Sequence, residues 1–150
     1  MEWTGILSTA LGAVIALGTS AYVEHRRWSR ESAQRAREER RAGYVAFLDA
    51  TAQASETLVN IARGHDRAED TTGRAGTVLR DSSVLSRRLE LALVAPDDIM
   101  AEVTEAVALL RVYRDAVAQG LPYESDEVQA ARAAFNDHRS QLTRLMRTSL

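Results

Sequence analysis

Hydrophobic and polar residues are segregated along this chain, and its longest apolar stretch lies at the start. Residues 3–23 contain no charged side chain, and roughly 20 such residues in a helix span the ~30 Å hydrocarbon core of a bilayer. Trp3 and Tyr22 lie near the two ends of this stretch, where aromatic rings prefer the level of the lipid headgroups. The pattern predicts a transmembrane helix over residues 3–23.

The rest of the chain follows a helical period. Residues 24–43 are rich in Ala, Arg, Glu and Gln and contain a single glycine and no proline, so we expect the membrane helix to continue as a basic juxtamembrane helical stalk. Residues 44–150 place apolar side chains at alternating spacings of four and three, which is typical of helices packed in a bundle. No stretch alternates with a period of two for long enough to indicate a sheet.

Glycine, proline and capping residues divide this region into helical segments. The first segment continues from the stalk and ends at Gly64. Residues 64–77 are expected to form a loop, because they contain three glycines and no apolar side chain larger than alanine. A second helix is expected at about residues 78–94 and a third at about residues 97–119, which Gly120 closes. The last helix is expected after Ser125, which is a candidate N-cap.

The predicted seams are the residues that carry the heptad rhythm. In chain order they are Tyr44, Leu48, Thr51, Ser55, Leu58 and Ala62; then Val78, Ser82, Leu85, Leu89 and Ala92; then Ile99, Val103, Ala106, Leu110, Tyr113 and Val117; and finally Val128, Ala131, Phe135, His138, Leu142 and Leu145. The prediction is an all-α protein, in which the N-terminal transmembrane helix continues into an antiparallel bundle of about four helices with coiled-coil-like seams.

Charge along the chain predicts how the protein is oriented. All 19 basic side chains are arginine. Seven of them follow the apolar stretch and form what we call the arginine collar: Arg26, Arg27, Arg30, Arg35, Arg37, Arg40 and Arg41. Residues 26–41 hold three glutamates against these seven arginines, whereas Glu2 alone precedes the apolar stretch. The positive-inside rule then predicts an inner-membrane protein with its N-terminus outside and residues 24–150 in the cytoplasm.

The collar admits two interpretations. It can be a solvated helix face that acts only as the topology signal, or it can bind a specific anionic group, either membrane lipid or nucleic acid. Nucleic acid is the weaker of the two ligands, because Trp28 is the single aromatic side chain there for base stacking. Residues 42–150 are acidic overall, which suits protein partners better than DNA.

Small residues form a stripe within the apolar stretch. Ser8, Gly12, Ala16 and Ser20 recur every four residues, so they lie on one helix face and would let two membrane helices approach closely. The stripe therefore predicts helix–helix association and a homo-oligomer, although the composition of the segment alone could also produce it.

Residues for catalysis or metal binding are scarce. The chain has no cysteine, and its three histidines, His25, His65 and His138, form no HExxH or Glu-x-x-His pattern. Acidic clusters fit the first turns of helices rather than catalytic pairs. We therefore predict no catalytic residue, no cofactor, no metal and no small-molecule substrate, hence no enzyme. His138 lies on a seam, where a hydrogen-bonded histidine is commoner than a ligand.

The start MEWTGILSTALGAVIALGTSAYVEHRRW, the Arg- and Ala-rich stalk and the segment ALVAPDDIMAEVTEAVALL resemble small proteins of high-GC actinobacteria, Streptomyces-like, that pair an N-terminal membrane segment with a helical region. The resemblance implies the same layout here and carries no catalytic residue and no activity.

The expected function is that of a membrane-anchored scaffold or regulatory interaction protein that self-associates or binds a protein partner. Two alternatives stay open at this point. One is a secreted or soluble helical bundle produced by cleavage of the N-terminal segment as a leader. The other is a nucleic-acid-binding module that uses the arginine-rich stalk.

Overall fold

The computed structural model describes the backbone of residues 3–64 and 71–150, and the side chains of Trp28, residues 31–64 and residues 71–150. Within these ranges the chain is helical and contains no strand, which confirms the all-α prediction. The helices are α1 (Trp3–Ala62), α2 (Thr71–Asp81), α3 (Val84–Leu91), α4 (Asp97–Ala118) and α5 (Asp126–Thr148).

The chain forms two compact units, Met1–Glu38 and Glu39–Leu150. In the part of the chain that the structure describes, no helix is both long enough and apolar enough to cross a membrane. The side chains of the predicted membrane segment, residues 3–23, lie outside the described residues, so the transmembrane helix stays a prediction.

Helix α1 continues through Gly43 without interruption, as the stalk sequence predicted. A Cβ added at Gly43 would lie 3.2 Å from Leu91 Cδ1 and 3.7 Å from Val94 Cγ2. Glycine therefore lets α1 approach the end of α3 closely, which offsets its poor helix propensity. At the other end, Gly64 follows the helix with a φ of +68°, the left-handed conformation that commonly ends helices.

The second unit is an up-down-up-down bundle of four arms. The short helices α2 and α3 together form the second arm, and α1, α4 and α5 form the other three. Thr72 at the start of α2 donates a hydrogen bond to the Ala118 carbonyl at the end of α4, so these two helices run in opposite directions. His138 in α5 reaches the backbone of Glu102 near the start of α4, which makes α4 and α5 a second antiparallel pair. The predicted bundle is thus confirmed, with four arms built from five helices in the described part of the chain.

The second arm differs from its prediction in two ways. Helix α2 begins at Thr71, so half of the expected loop is helical, because Ala75 packs into the core and outweighs the weak propensity of the flanking glycines. The expected helix over residues 78–94 is broken at Ser83, which has a φ of +61°. This left-handed residue changes the helix direction between α2 and α3 and rotates the face that follows it.

The core confirms most of the predicted seam residues and corrects the others. All six seam residues of α4 are buried, as are Val128, Phe135 and Leu142 of α5. At the end of α5 the prediction was wrong, because Leu145 is 37% exposed and the next residue, Met146, is buried instead. Beyond Ser83 the prediction was wrong: Leu85 and Leu89 are exposed, whereas Val84 and Leu91 are fully buried. The core cluster joins α1, α2, α3, α4 and α5 into one hydrophobic interior.

Helix ends in the α4–α5 hairpin follow the predicted chemistry. Gly120 closes α4 with a φ of +74°. Ser125 caps α5 by accepting a hydrogen bond from the backbone N–H of Val128 at 3.4 Å. Pro96 precedes α4, and the first turn carries Asp97 and Asp98, where negative charge favours a helix N-terminus.

Candidate functional site

The structure separates the members of the arginine collar. Arg35, Arg37 and Arg41 are exposed to solvent, while the side chains of Arg26, Arg27 and Arg30 lie outside the described residues. Within residues 31–39, every side chain is exposed, although the segment is helical throughout. These three arginines can therefore meet an anionic surface without breaking any packing in the bundle.

Arg40 is different, because it belongs to the bundle. Its Nε donates a hydrogen bond to the Val94 carbonyl at 3.2 Å, and its Nη1 donates one to the Ser149 carbonyl at 3.4 Å. Both acceptors follow helix C-termini, where a cation is favourable for the helix dipole. One turn along α1, the Tyr44 hydroxyl lies 2.9 Å from Ser149 Oγ. Arg40 and Tyr44 thus attach the end of α5 to α1, a role that the spacing of arginines did not reveal.

The predicted small-residue stripe, Ser8, Gly12, Ala16 and Ser20, lies outside the residues whose side chains are described. Its role in helix association stays a prediction.

His138 is held by α4. Its Nε2 lies 2.9 Å from the backbone carbonyl of Glu102 and 3.6 Å from Glu102 Oε2, and its side chain is only 13% exposed. This is a hydrogen-bonded edge histidine, as its seam position predicted. In the described part of the chain, no group of three His, Asp or Glu side chains is placed to hold a metal ion.

The rotation at Ser83 creates an exposed apolar surface on the second arm, which we call the leucine ridge and define as Leu85, Leu89 and Leu93. These side chains are 37%, 69% and 85% exposed. Leu85 and Leu89 lie one helical turn apart on the same face of α3, and Leu93 follows in the turn after that helix. On the same helix, Arg87 and Glu90 form an ion pair at 2.7 Å, and Arg88 Nη2 donates a hydrogen bond to Thr104 Oγ1 at 3.3 Å.

Two adjoining clefts lie between α1 and the second arm, with volumes of about 200 and 170 Å³. Gln53 and Ser82 line both of them. Asp81 lines the larger cleft, and a hydrogen bond from Thr77 is the main cause that lowers its pKa.

Comparison with protein-family models, curated proteins and solved structures finds no match to this chain.

Sequence reasoning missed the leucine ridge, and the reason is specific. Leu85 and Leu89 fit the heptad rhythm that predicted burial. A signal was nevertheless present in the pair Ser82 and Ser83, since serine is a poor residue for a helix interior and competes for backbone hydrogen bonds. Ser82 does so here, because its hydroxyl bonds to the Val78 carbonyl at 2.6 Å.

Proposed function

We propose that this chain is a single-pass, inner-membrane-anchored helical-bundle protein that serves as a self-associating scaffold or regulatory interaction protein. The observation that carries the proposal is the exposed stretch of α1 at residues 31–39, all of whose side chains face solvent. Most helices in proteins are stabilised by packing an apolar face. A charged helix without such a face suits a connector between an anchor and a bundle.

The sequence of α1 supports the anchor. An uncharged run at residues 3–23 precedes the collar on the same helix, and the packed bundle residues begin with Tyr44. The length of the run matches a bilayer core. By the positive-inside rule, the collar after it supports a cytoplasmic location for residues 24–150.

The leucine ridge supports self-association, and we assign a second copy of this chain to it. Exposed leucines at one face are costly in water unless a partner covers them. Anchoring in one bilayer would raise the effective concentration of the copies, and the small-residue stripe would pair their membrane helices.

The anchor is tested by fractionation and by single-cysteine labelling, for which the cysteine-free chain is well suited. We expect the full chain in the membrane fraction after alkaline extraction, and release of a Leu11→Arg, Val14→Arg variant. Ser140→Cys, on the exposed surface of α5, should react with an impermeant maleimide only after lysis, whereas Glu2→Cys, which precedes the membrane segment, should react in intact cells. Extraction of the unaltered chain, or labelling of Ser140→Cys in intact cells, would contradict the proposal.

The same preparation separates the two alternatives. A mature chain lighter by roughly 20 residues in intact-mass analysis would establish a cleaved leader. DNA binding that weakens steeply with salt, and is lost on neutralising Arg35, Arg37 and Arg41, would establish a nucleic-acid module.

Self-association is tested on the full chain in a nonionic detergent by light scattering and by crosslinking in membranes. The double variant Leu89→Ser, Leu93→Ser should lower the molecular mass toward the monomer. Val112→Ser is the matched control, because Val112 is 56% exposed on α4, outside the ridge. Gly12→Ile tests the stripe independently. A mass unchanged in both the ridge and the stripe variants would refute self-association.

A further inference from the structure

The exposed part of α1 from Glu31 to Glu38 carries opposite charges on two sides of one residue, Gln34. Every side chain in this stretch is exposed to solvent, and successive residues of a helix are turned by about 100°. Glu31 and Glu38 therefore lie on one side of Gln34, and Arg37 lies on its other side. We call the surface formed by Glu31, Gln34, Arg37 and Glu38 the stalk face.

Two charged groups of the stalk face have no ionic partner on their own chain. Gln34 Nε2 donates a hydrogen bond to Glu38 Oε1 at 3.0 Å. Neither Arg37 nor Glu38 forms an ion pair within the part of the chain that the structure describes. A helix without an apolar face usually relies on such pairs along its surface. Arg37 and Glu38 can thus pair with charges of another molecule.

The order of the charges indicates that this molecule is a second copy of the chain. When two identical helices pair in parallel about a two-fold axis, each side of the contact meets the opposite side of the other copy. With Gln34 at the centre of the contact, Arg37 of each copy lies beside Glu38 of the other. The sequence repeats this adjacent pair seven residues earlier as Arg30 and Glu31. An antiparallel pair would bring like charges together instead.

The net charge of the segment permits such a contact. Residues 31–38 hold two arginines and two glutamates, so this segment does not repel a copy of itself through its net charge. Exposed ion pairs contribute little to affinity, but complementary charges fix orientation and exclude wrong arrangements. The charges therefore select the parallel arrangement, and anchoring of both copies in one membrane would impose the same arrangement independently.

We infer that two copies of this chain pair in parallel through the stalk face, with Arg37 of each copy beside Glu38 of the other. This pairing rests on the proposed self-association and gives it an orientation and a contact. It differs from the contact assigned to the leucine ridge, because it depends on charge and is weakened by salt.

Disulfide crosslinking of the full chain in membranes tests the contact, because the chain has no cysteine of its own. Under mild oxidation we expect Gln34→Cys to form a disulfide-linked dimer, and we expect less of it at high salt. Ala36→Cys is the matched control, since Ala36 is also exposed but lies about 200° around the helix from Gln34. It should crosslink at least several-fold less.

Charge exchange in the Gln34→Cys chain tests which rows face each other. Glu31→Arg with Glu38→Arg makes both sides of the contact cationic and should lower crosslinking by about tenfold, because several weak pairs become repulsive together. Adding Arg30→Glu and Arg37→Glu trades the signs of the two sides and should restore crosslinking. A disturbance of the helix alone would not be reversed in this way, and circular dichroism checks that the helix content is unchanged.

Three results would overturn the inference. Equal crosslinking of Gln34→Cys and Ala36→Cys, in a chain that light scattering shows to be oligomeric, would refute the stalk contact alone and leave the proposed self-association standing. If the full exchange failed to restore crosslinking, the arginines would need their positive sign, as an anionic lipid surface requires, and a second copy would not be the partner. A monomeric unaltered chain would refute both the contact and the self-association.

Discussion

Replacing Tyr113 by phenylalanine should stabilise the bundle, although it removes a polar group from the core. The side chain is fully buried, and its hydroxyl has no partner among the described residues. An unpaired buried hydroxyl costs about 1–3 kcal/mol, and phenylalanine fills the same space without that cost. In a buffer with chloride as the only anion, we expect the free energy of unfolding to rise by about 1 kcal/mol, at the low end of that range.

Tyr44→Phe is the matched control for this prediction. Tyr44 is also buried, but its hydroxyl lies 2.9 Å from Ser149 Oγ. The substitution removes the same atom and breaks a real hydrogen bond, so it should lower the free energy of unfolding by about 1 kcal/mol. The two variants therefore differ in the sign of the effect, and only the pairing of the hydroxyl accounts for that difference.

Urea unfolding of the full chain in nonionic detergent, followed by near-ultraviolet circular dichroism, measures both changes. The slope with denaturant should stay constant, since the exposed surface hardly changes, and the thermal midpoints should move by about 4 °C in opposite directions. If Tyr113→Phe loses as much stability as Tyr44→Phe, the hydroxyl has a partner and the reasoning fails.

Three further predictions concern ionisation, glycines and arginines. Burial raises the pKa of Tyr113 from 10.0 to about 12. The stability that comes from the protonated hydroxyl in the folded protein is therefore complete below pH 10 and is lost as the pH rises through 12. An ultraviolet titration should show one tyrosine that ionises near pH 12 in the unaltered chain and is missing from Tyr113→Phe. In urea unfolding, Gly76→Ala should raise the stability by about 0.5–1 kcal/mol, since a Cβ at this position of α2 meets open space. Gly120→Ala should lower the stability by about 1–2 kcal/mol, because Gly120 has a φ of +74°. If both variants changed the stability in the same direction, this reasoning would be contradicted. Arg40→Gln should cost about 1–3 kcal/mol by losing two carbonyl contacts, and exposed Arg41→Gln should cost almost nothing in the same assay.

The α4–α5 hairpin could be predicted from sequence because local and tertiary preferences agree there. The apolar rhythm of α4 continues over its whole length, with acidic residues in its first turn and Gly120 after its end. Ser125 then gives α5 a capping side chain. When each local signal favours the same element that packing favours, the pattern alone determines the buried face.

The second arm could not be predicted in the same way, because packing there overrides local preference. Ala75 is buried between two glycines that weaken a helix, and Ser83 adopts a left-handed conformation that serine rarely takes. The heptad rhythm crosses this break without a visible change, so the sequence predicted one helix and one seam. The resulting error is also the origin of the leucine ridge, whose exposed face exists only because the helix changes direction at Ser83.

The hydroxyl of Tyr113 shows a different limit of sequence reasoning. Whether it has a hydrogen-bond partner depends on the side chains that other helices bring against α4, so no local spacing reveals that it has none among the described residues. One signal was present: Tyr113 occupies a seam position where the other residues of α4 are aliphatic, and a phenol in such a seam must find an acceptor for its hydroxyl or lose stability. Since phenylalanine would fill that position without this cost, the stability gained by Tyr113→Phe would measure what the unpaired hydroxyl costs the folded protein.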